Sequence, residues 1–459
     1  MTTRFDAIVI GAGQAGPSLA ARLAADGRKT AVIERHRFGG TCVNTGCIPT
    51  KTLVASARAM HMARRGAEFG FSVGSEVRAD MARVKGRMED VVRQSREGVE
   101  RWMKDDPNIT VYAGHGRFEA PHTVRVGADS IEAEQIFINV GARAFVPDFA
   151  AGGEVPFLTN SSLLDLGVLP EHLIVIGGSY VGLELAQVYR RFGSRVTVIE
   201  QIGRLIARED PDVSETLQRV LEEEGIAFHL NASCIGLARA RSGVAVSVDC
   251  AAGAPRVEGS HVLLAVGRRP NTGDLGLAAA GIATDAKGYI VVDDQCRTSV
   301  PGIWAMGECN GRGAFTHTAY NDYEIVSAAL FGGAPRRISN RIPCYALYTD
   351  PPVGRAGMTT KEARQSGRRV LAGHRPMTKV SRAREMSETR GFMRVLVDAE
   401  NQQILGAVVF GAGGDEVVHS VLDTMYAKAS YETIARAVHI HPTVTELIPT
   451  MLQDLTPLE

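Results

Sequence analysis

Two stretches of the chain share one pattern of apolar and polar positions. Residues 7–35 read AIVIGAGQAGPSLAARLAADGRKTAVIER, and residues 173–201 read LIVIGGSYVGLELAQVYRRFGSRVTVIEQ. Each opens on an unbroken apolar run, as a strand buried on both faces does. A glycine turn follows, then apolar residues at helical spacing, then Gly27 or Gly193 and a second apolar run. At a constant offset of 166 the copies agree at Gly11/Gly177, Gly16/Gly182 and Glu34/Glu200, besides many apolar positions. The pattern predicts two strand–helix–strand units, each ending on an acid.

A lone G-x-G-x-x-G turn is weak evidence for a ligand. Here the context it requires, a strand before and a helix after, is met twice. Gly11 allows the tight turn, Gly13 a close approach to a pyrophosphate, and Gly16 close packing of helix on strand. The helix N-terminus stabilises phosphate charge. Gly177 and Gly182 repeat the outer positions, while Ser179 stands at the middle one. Glu34 and Glu200 are placed to accept hydrogen bonds from a ribose. The fold class expected is α/β with two Rossmann-like dinucleotide-binding domains.

Each unit has a closing strand with a glycine at its end, FINVGARAFVP at Gly141 and LLAVGRRPNT at Gly267. These correspond at an offset of 126, so the first unit carries 40 more residues before it closes. The excess lies around 40–105 and reads as a long helical pattern from about 50 to 105, led by GGTCVNTGCIPTK. In that leader Gly39, Gly40 and Gly46 let the backbone pack against something flat or bulky. Cys42 and Cys47 are close enough to form a small disulfide loop. Their spacing is too long for C-x-x-C and there is no second pair, so no zinc or other metal site is expected. Lys51 lies four residues past Cys47 on the same helical face.

Composition narrows the classes. Lys plus Arg and Asp plus Glu are each 51, a net charge of zero, which argues against nucleic-acid or membrane-surface binding. Glycine is the outlier: 49 of 459 residues, against a usual share of about 7%. The seven cysteines are sparse for a disulfide scaffold, and the five outside the leader read as structural thiols. No apolar run reaches the ~18–20 residues of a membrane helix, and the apolar start lacks a signal peptide's basic lead. A cytoplasmic protein is expected. After about 341 the pattern changes, with strands near 392–398 and 404–410 and helices near 414–428 and 430–437.

With GGTCVNTGCIPTK and the two units, the chain resembles the pyridine nucleotide-disulfide oxidoreductases, flavoproteins that include glutathione reductase, dihydrolipoamide dehydrogenase and mercuric reductase. The resemblance covers essentially the whole chain. It implies FAD on Gly11, Gly13, Gly16 and Glu34, with Gly40, Thr41, Lys51 and Gly141 beside it. It implies NAD(P)H on Gly177, Gly182, Glu200 and Gly267, with Tyr180 over the flavin when no nicotinamide is bound. Cys42 and Cys47 would form the redox-active disulfide, Cys47 facing the flavin and Cys42 the substrate. Lys51 would pair with Glu184, in the first turn of the second helix. Residues 298–322 resemble a second FAD segment, with Gly307-Glu308 where the family has Gly-Asp on the ribityl chain.

The end of the chain resembles the family's α+β dimerisation domain, and His441-Pro442-Thr443-x-x-Glu446 matches its terminal motif. A homodimer is implied, in which His441 of one subunit acts as base and acid beside Cys42 of the other and Glu446 orients it. His439 is a rival two residues away. The division expected is 1–149 for the FAD domain, 150–268 for NAD(P), 269–340 for returning FAD segments and 341–459 for the interface. Glu200 favours NADH over NADPH by repelling a 2′-phosphate, with Arg204 and Arg208 tempering the preference.

The acceptor implied is a small disulfide, a metal ion or an oxidant. IPTKTL and SRAREMSETRG resemble a bacterial subgroup near mercuric reductase and the reactive-chlorine-resistance flavoprotein. No cysteine follows Cys344, so the terminal cysteine pair of mercuric reductases is missing and poor mercury handling is expected. Dihydrolipoamide dehydrogenase is the rival enzyme. A non-catalytic NADH-binding sensor is the rival of another class, and it has no need of a redox pair.

Overall fold

A computed structural model describes residues 2–74, 76–152, 155–233, 235–241, 243–249 and 255–458, so Cys234 and Cys250 lie outside it. The first apolar run, Ala7–Ile10, is buried at every position. It forms the centre of a parallel sheet ordered Ile303–Ala305, Gln135–Ile138, Ala7–Ile10, Thr30–Glu34, Ile109–Ala113. The second copy builds the same order, Ile226–His229 at one edge, then Arg195–Ile199, His172–Ile176 and His261–Leu264. Near-continuous aliphatic runs suit such sheets, because helices cover both faces. One difference matters. The edge strand Ile303–Ala305 joins the first sheet only after the second is complete, so the first unit is finished by returning chain.

The helical pattern expected from about 50 to 105 is two helices, Cys47–Arg64 and Met81–Lys104. The break is glycine-driven. A Cβ on Gly66 would lie 2.7 Å from the Phe71 ring, and Gly70 sits at φ +81°, where L side chains are strained. The second helix restarts at Asp80, whose carboxylate accepts the Arg83 N–H at 3.1 Å.

Residues 344–457 supply an antiparallel sheet of six strands, including Phe392–Asp398 and Ile404–Phe410. Helix Gly414–Tyr426 packs on it through Val418 and Val421, and the next helix is a short turn, Glu432–Ala435. Paired charges join this layer to the others. Arg191, 4% exposed, meets Glu224 at 2.7 Å and Asp350 at 2.6 Å. Arg58, on the helix that begins at Cys47, meets Asp350 and, at 2.5 Å, Glu388. Burial this deep leaves a charge dependent on its partners. No helix among the described residues is long and apolar enough to cross a membrane.

Candidate active site

The two glycine turns are built alike. Gly11 has φ +102° and Gly177 φ +114°, and a Cβ on either would lie 2.4 Å from a carbonyl, that of Asn139 or Ala265. A Cβ on Gly16 or Gly182 would lie 2.2 Å from the carbonyl of Gly11 or Gly177. Both acids brace their own turn. Glu34 accepts the N–H groups of Ala12 and His36 at 2.8 Å each. Glu200 accepts those of Gly178 at 2.6 Å and Ile202 at 2.9 Å. A carboxylate has about four acceptor positions, so both keep capacity for a ribose hydroxyl.

Asn139 was not singled out in the sequence. Its Oδ1 accepts the Gly16 N–H at 3.0 Å and its Nδ2 donates to the Met306 carbonyl at 3.0 Å. A Cβ on Gly13 would meet that Oδ1 at 2.9 Å, so the middle glycine answers first to protein packing. The available signal was an amide inside an apolar closing strand, a buried polar group that needs partners.

The leader glycines also fold tightly on the chain itself, while Gly40 and Gly46 line a large cavity. A Cβ on Gly39, Gly40 or Gly46 would lie 2.4 Å from the Val43 side chain, 2.8 Å from Gly13 Cα and 2.9 Å from the Thr41 carbonyl, respectively. This folding carries Cys42 on a short helix, Gly40–Asn44, and Cys47 at the start of the next. Both are thiols here. The Cys42 thiol hydrogen-bonds Cys47, and Cys47 Sγ lies 3.2 Å from Thr316 Oγ1. The bond from Cys42 lowers the Cys47 pKa to about 6, helped by the Thr316 hydroxyl and the Lys51 ammonium against burial. The same bond, with burial, pushes the Cys42 thiol well up. Cys47 is thus the more acidic thiol of the pair.

Lys51 Nζ donates to Glu184 Oε2 at 2.8 Å. Glu184, 3% exposed, is the fifth residue of helix Tyr180–Phe192, so it stands in the second turn rather than the expected first. A helix-dipole role weakens accordingly. Its other oxygen accepts the Tyr348 N–H at 2.9 Å, and Lys51 Nζ sits 4.5 Å from the centre of the Tyr348 ring. Neither Tyr348 nor Thr316 was read from sequence. Tyr180 rests against Phe315, ring centres 5.6 Å apart, and burial raises its pKa.

These groups line a cavity of about 1130 Å³. Gly11, Gly13, Glu34, Gly40, Thr41 and Gly141 form one stretch of its wall. Cys42, Cys47, Lys51, Tyr180 and Glu184 form another, and Gly307 and Glu308 a third. A glycine turn and its bracing acid, with a thiol pair and a lysine on the same wall, suit a long cofactor with a phosphate middle and a redox ring. Gly177, Gly182, Glu200 and Gly267 do not line it, nor do His441 and Glu446. His441 Nδ1 lies 3.0 Å from both carboxylate oxygens of Glu446, its side chain 72% exposed and that of Glu446 15%. Among the described residues its rival His439 meets only the Ala437 carbonyl, at 3.2 Å. Among the described residues no cluster of three or more His, Cys, Asp or Glu is placed to hold a metal ion.

Comparison with known proteins gives a consistent picture. Residues 5–322 match the pyridine nucleotide-disulphide oxidoreductase family, and residues 344–452 match its dimerisation domain. RclA of Escherichia coli, described as a pyridine nucleotide-disulfide oxidoreductase, is 34% identical over 452 residues, covering 96% of this chain and 97% of RclA. A dihydrolipoyl dehydrogenase of Cupriavidus necator is 32% identical over 464 residues, covering 98% of this chain and 97% of its own. The structure superimposes with a TM-score of 0.90 at 33% identity on the Cu(II) complex of the HOCl-induced flavoprotein disulfide reductase RclA, covering 99% of each chain.

Proposed function

This chain belongs to the pyridine nucleotide-disulfide oxidoreductases, flavoprotein enzymes that use FAD and NAD(P)H, and we propose that it passes electrons through Cys42 and Cys47 to a small acceptor. The observation that carries this is the sulfur pair itself, with the Lys51–Glu184 pair beside it on the wall of one cavity. FAD bound in that cavity supplies two-electron exchange between NAD(P)H and the sulfur pair. Two electrons and two protons convert the Cys42–Cys47 disulfide to the dithiol. With a disulfide acceptor, Cys42 gives up its proton, attacks one sulfur and expels the first thiol, and Cys47 then closes on Cys42 and expels the second, restoring the disulfide. With Cu(II), two ions each take one electron as the dithiol returns to the disulfide and releases two protons. Lys51 holds positive charge beside Cys47, and Glu184 fixes Lys51. His441, oriented by Glu446, moves the proton at the acceptor as the partner subunit's contribution to the site. The dimerisation domain supports that homodimer. Glu200 favours NADH, and a dithiol kept reduced in turnover suits the cytoplasm.

For the acceptor, the similarity to RclA makes Cu(II) the first candidate, since RclA has been solved as a Cu(II) complex. The dihydrolipoyl dehydrogenases at 32% identity favour lipoamide as the second reading. The purified protein is assayed for NADH and NADPH oxidation with Cu(II), Hg(II), lipoamide, glutathione disulfide, other small disulfides and quinones. Cys42→Ser should lower reduction of the true acceptor on the order of 10³-fold or more while FAD and NADH still bind. Full activity in that variant would end the dithiol reading, and a protein that turns over none of the acceptors would favour the sensor.

A further inference from the structure

Arg268 has no role in the reading so far. It opens the strand Arg268–Pro270, which leaves the second sheet after Gly267 and pairs antiparallel with Ala142–Ala144 of the first unit. One Nη donates to the Ala142 carbonyl at 2.6 Å, and Nε donates to Oε1 of Glu308, also at 2.6 Å. The two side chains are 18% and 15% exposed, and both residues line the large cavity. The backbone beneath Glu308 is fixed as well. The Gly307 N–H donates to Asp322 at 2.8 Å, and Asp322, 1% exposed, also takes Asn310 Nδ2 at 3.0 Å. Oε2 of Glu308 makes no hydrogen bond to a described residue.

A glutamate at the cavity wall has one more rotatable bond than an aspartate, and ordering it costs side-chain entropy. A guanidinium already fixed by a backbone carbonyl removes that freedom, because Arg presents its donors in a rigid plane. We propose that Arg268 is a positioning residue for the flavin cofactor: it holds one oxygen of Glu308 and leaves the other for a polyol hydroxyl of FAD. The proposal rests on the reading that this cavity holds FAD. It makes a residue of the second unit part of the first unit's cofactor site, acting through Glu308 alone.

The test is a double-mutant cycle on the full chain. Apoprotein is reconstituted with FAD, and Kd is read from flavin fluorescence for the parent, Arg268→Gln, Glu308→Gln and the double variant. Arg268→Gln should raise Kd about tenfold, the scale of one charge-assisted hydrogen bond. In the Glu308→Gln background the same change should move Kd less than about twofold, because the group it acts through is gone. A general loss of structure would not cancel in that way. Should Arg268→Gln fail to fold, Arg268→Lys, which keeps the cation and loses the planar fork, runs through the same cycle. A single variant with Kd within twofold of the parent, or two effects that simply multiply, would overturn the proposal and leave the cofactor reading standing. A parent that takes up no FAD overturns both.

Discussion

Where the first unit has Asn139, the second has Ala265. Both residues put their carbonyl against the first glycine of a turn, at 2.4 Å from where a Cβ would be. Only Asn139 adds a side chain that ties the turn to Met306, on the returning chain. The first unit is also completed by the edge strand Ile303–Ala305 and by Thr316 beside Cys47, whereas at the matching edge of the second sheet the described residues form only a parallel bridge, Leu158 to Leu263. One unit is thus completed by later chain, and the other by a single bridge from the chain that precedes it. A unit that keeps a resident cofactor gains more from such completion than one that serves a co-substrate leaving each cycle. Repeated sequence supplies the common strand–helix–strand. Insertions and returning segments supply the distinction.

Mirror substitutions should break this comparison most visibly. Gly16→Ala and Gly182→Ala each put a Cβ 2.2 Å from a carbonyl, so the backbone must move in either unit. Displacements of about 1 Å near chemistry cost on the order of 10²-fold. Gly16→Ala should weaken FAD binding by at least that factor, read by flavin fluorescence of the purified protein. Gly182→Ala should keep its FAD and raise the KM for NADH by a similar factor. FAD loss from both would mean that the units are not independent sites. Asn139→Ala comes next. It strands the Gly16 N–H and the Met306 carbonyl, at about 1–3 kcal/mol for a stranded buried group. The expected result is lower thermal stability and roughly tenfold weaker FAD binding, with the KM for NADH unchanged.

What the sequence made legible was what repeats or sits in a motif. The paired turns, Glu34 and Glu200, the Lys51–Glu184 pair and the His441–Glu446 pair all meet as geometry. What it hid was what closure brings together. Thr316 reaches Cys47 across 269 positions and Arg268 reaches Glu308 across 40, and neither sits at a spacing that names its partner. The broken helix was different: Gly66, Gly70 and Gly74 stood in the sequence as breakers, and helical periodicity on both sides masked them.

Thr316 tests whether the returning chain tunes the sulfur pair as well as holding the cofactor. The Cys47 thiol is lowered to about 6, so the thiolate is present above that pH and lost as pH falls through it. Thr316→Val keeps the shape and removes the hydroxyl, one of the groups that favour the thiolate. The midpoint should rise by roughly one unit. The pH dependence of iodoacetamide alkylation of the reduced protein reads it. An unmoved midpoint would make the Thr316 contact a packing feature only.

The smallest effect is expected at Ser179, the position that breaks the repeat. Ser179 precedes helix Tyr180–Phe192 in extended conformation, φ −107°, and its side chain makes no capping bond. A serine is under no strain there, and restoring glycine gains no contact the turn now lacks. Gly177 and Gly182 already make the close approaches, to Ala265 and to each other. Ser179→Gly should therefore change the KM for NADH by less than about threefold, within the few tenths of a kcal/mol that separate serine from glycine at a helix start. A much larger gain in NADH affinity would mean that the serine side chain occupies space the pyrophosphate needs. The difference between the two turns would then lie in this one position, rather than in the returning chain that completes the first unit.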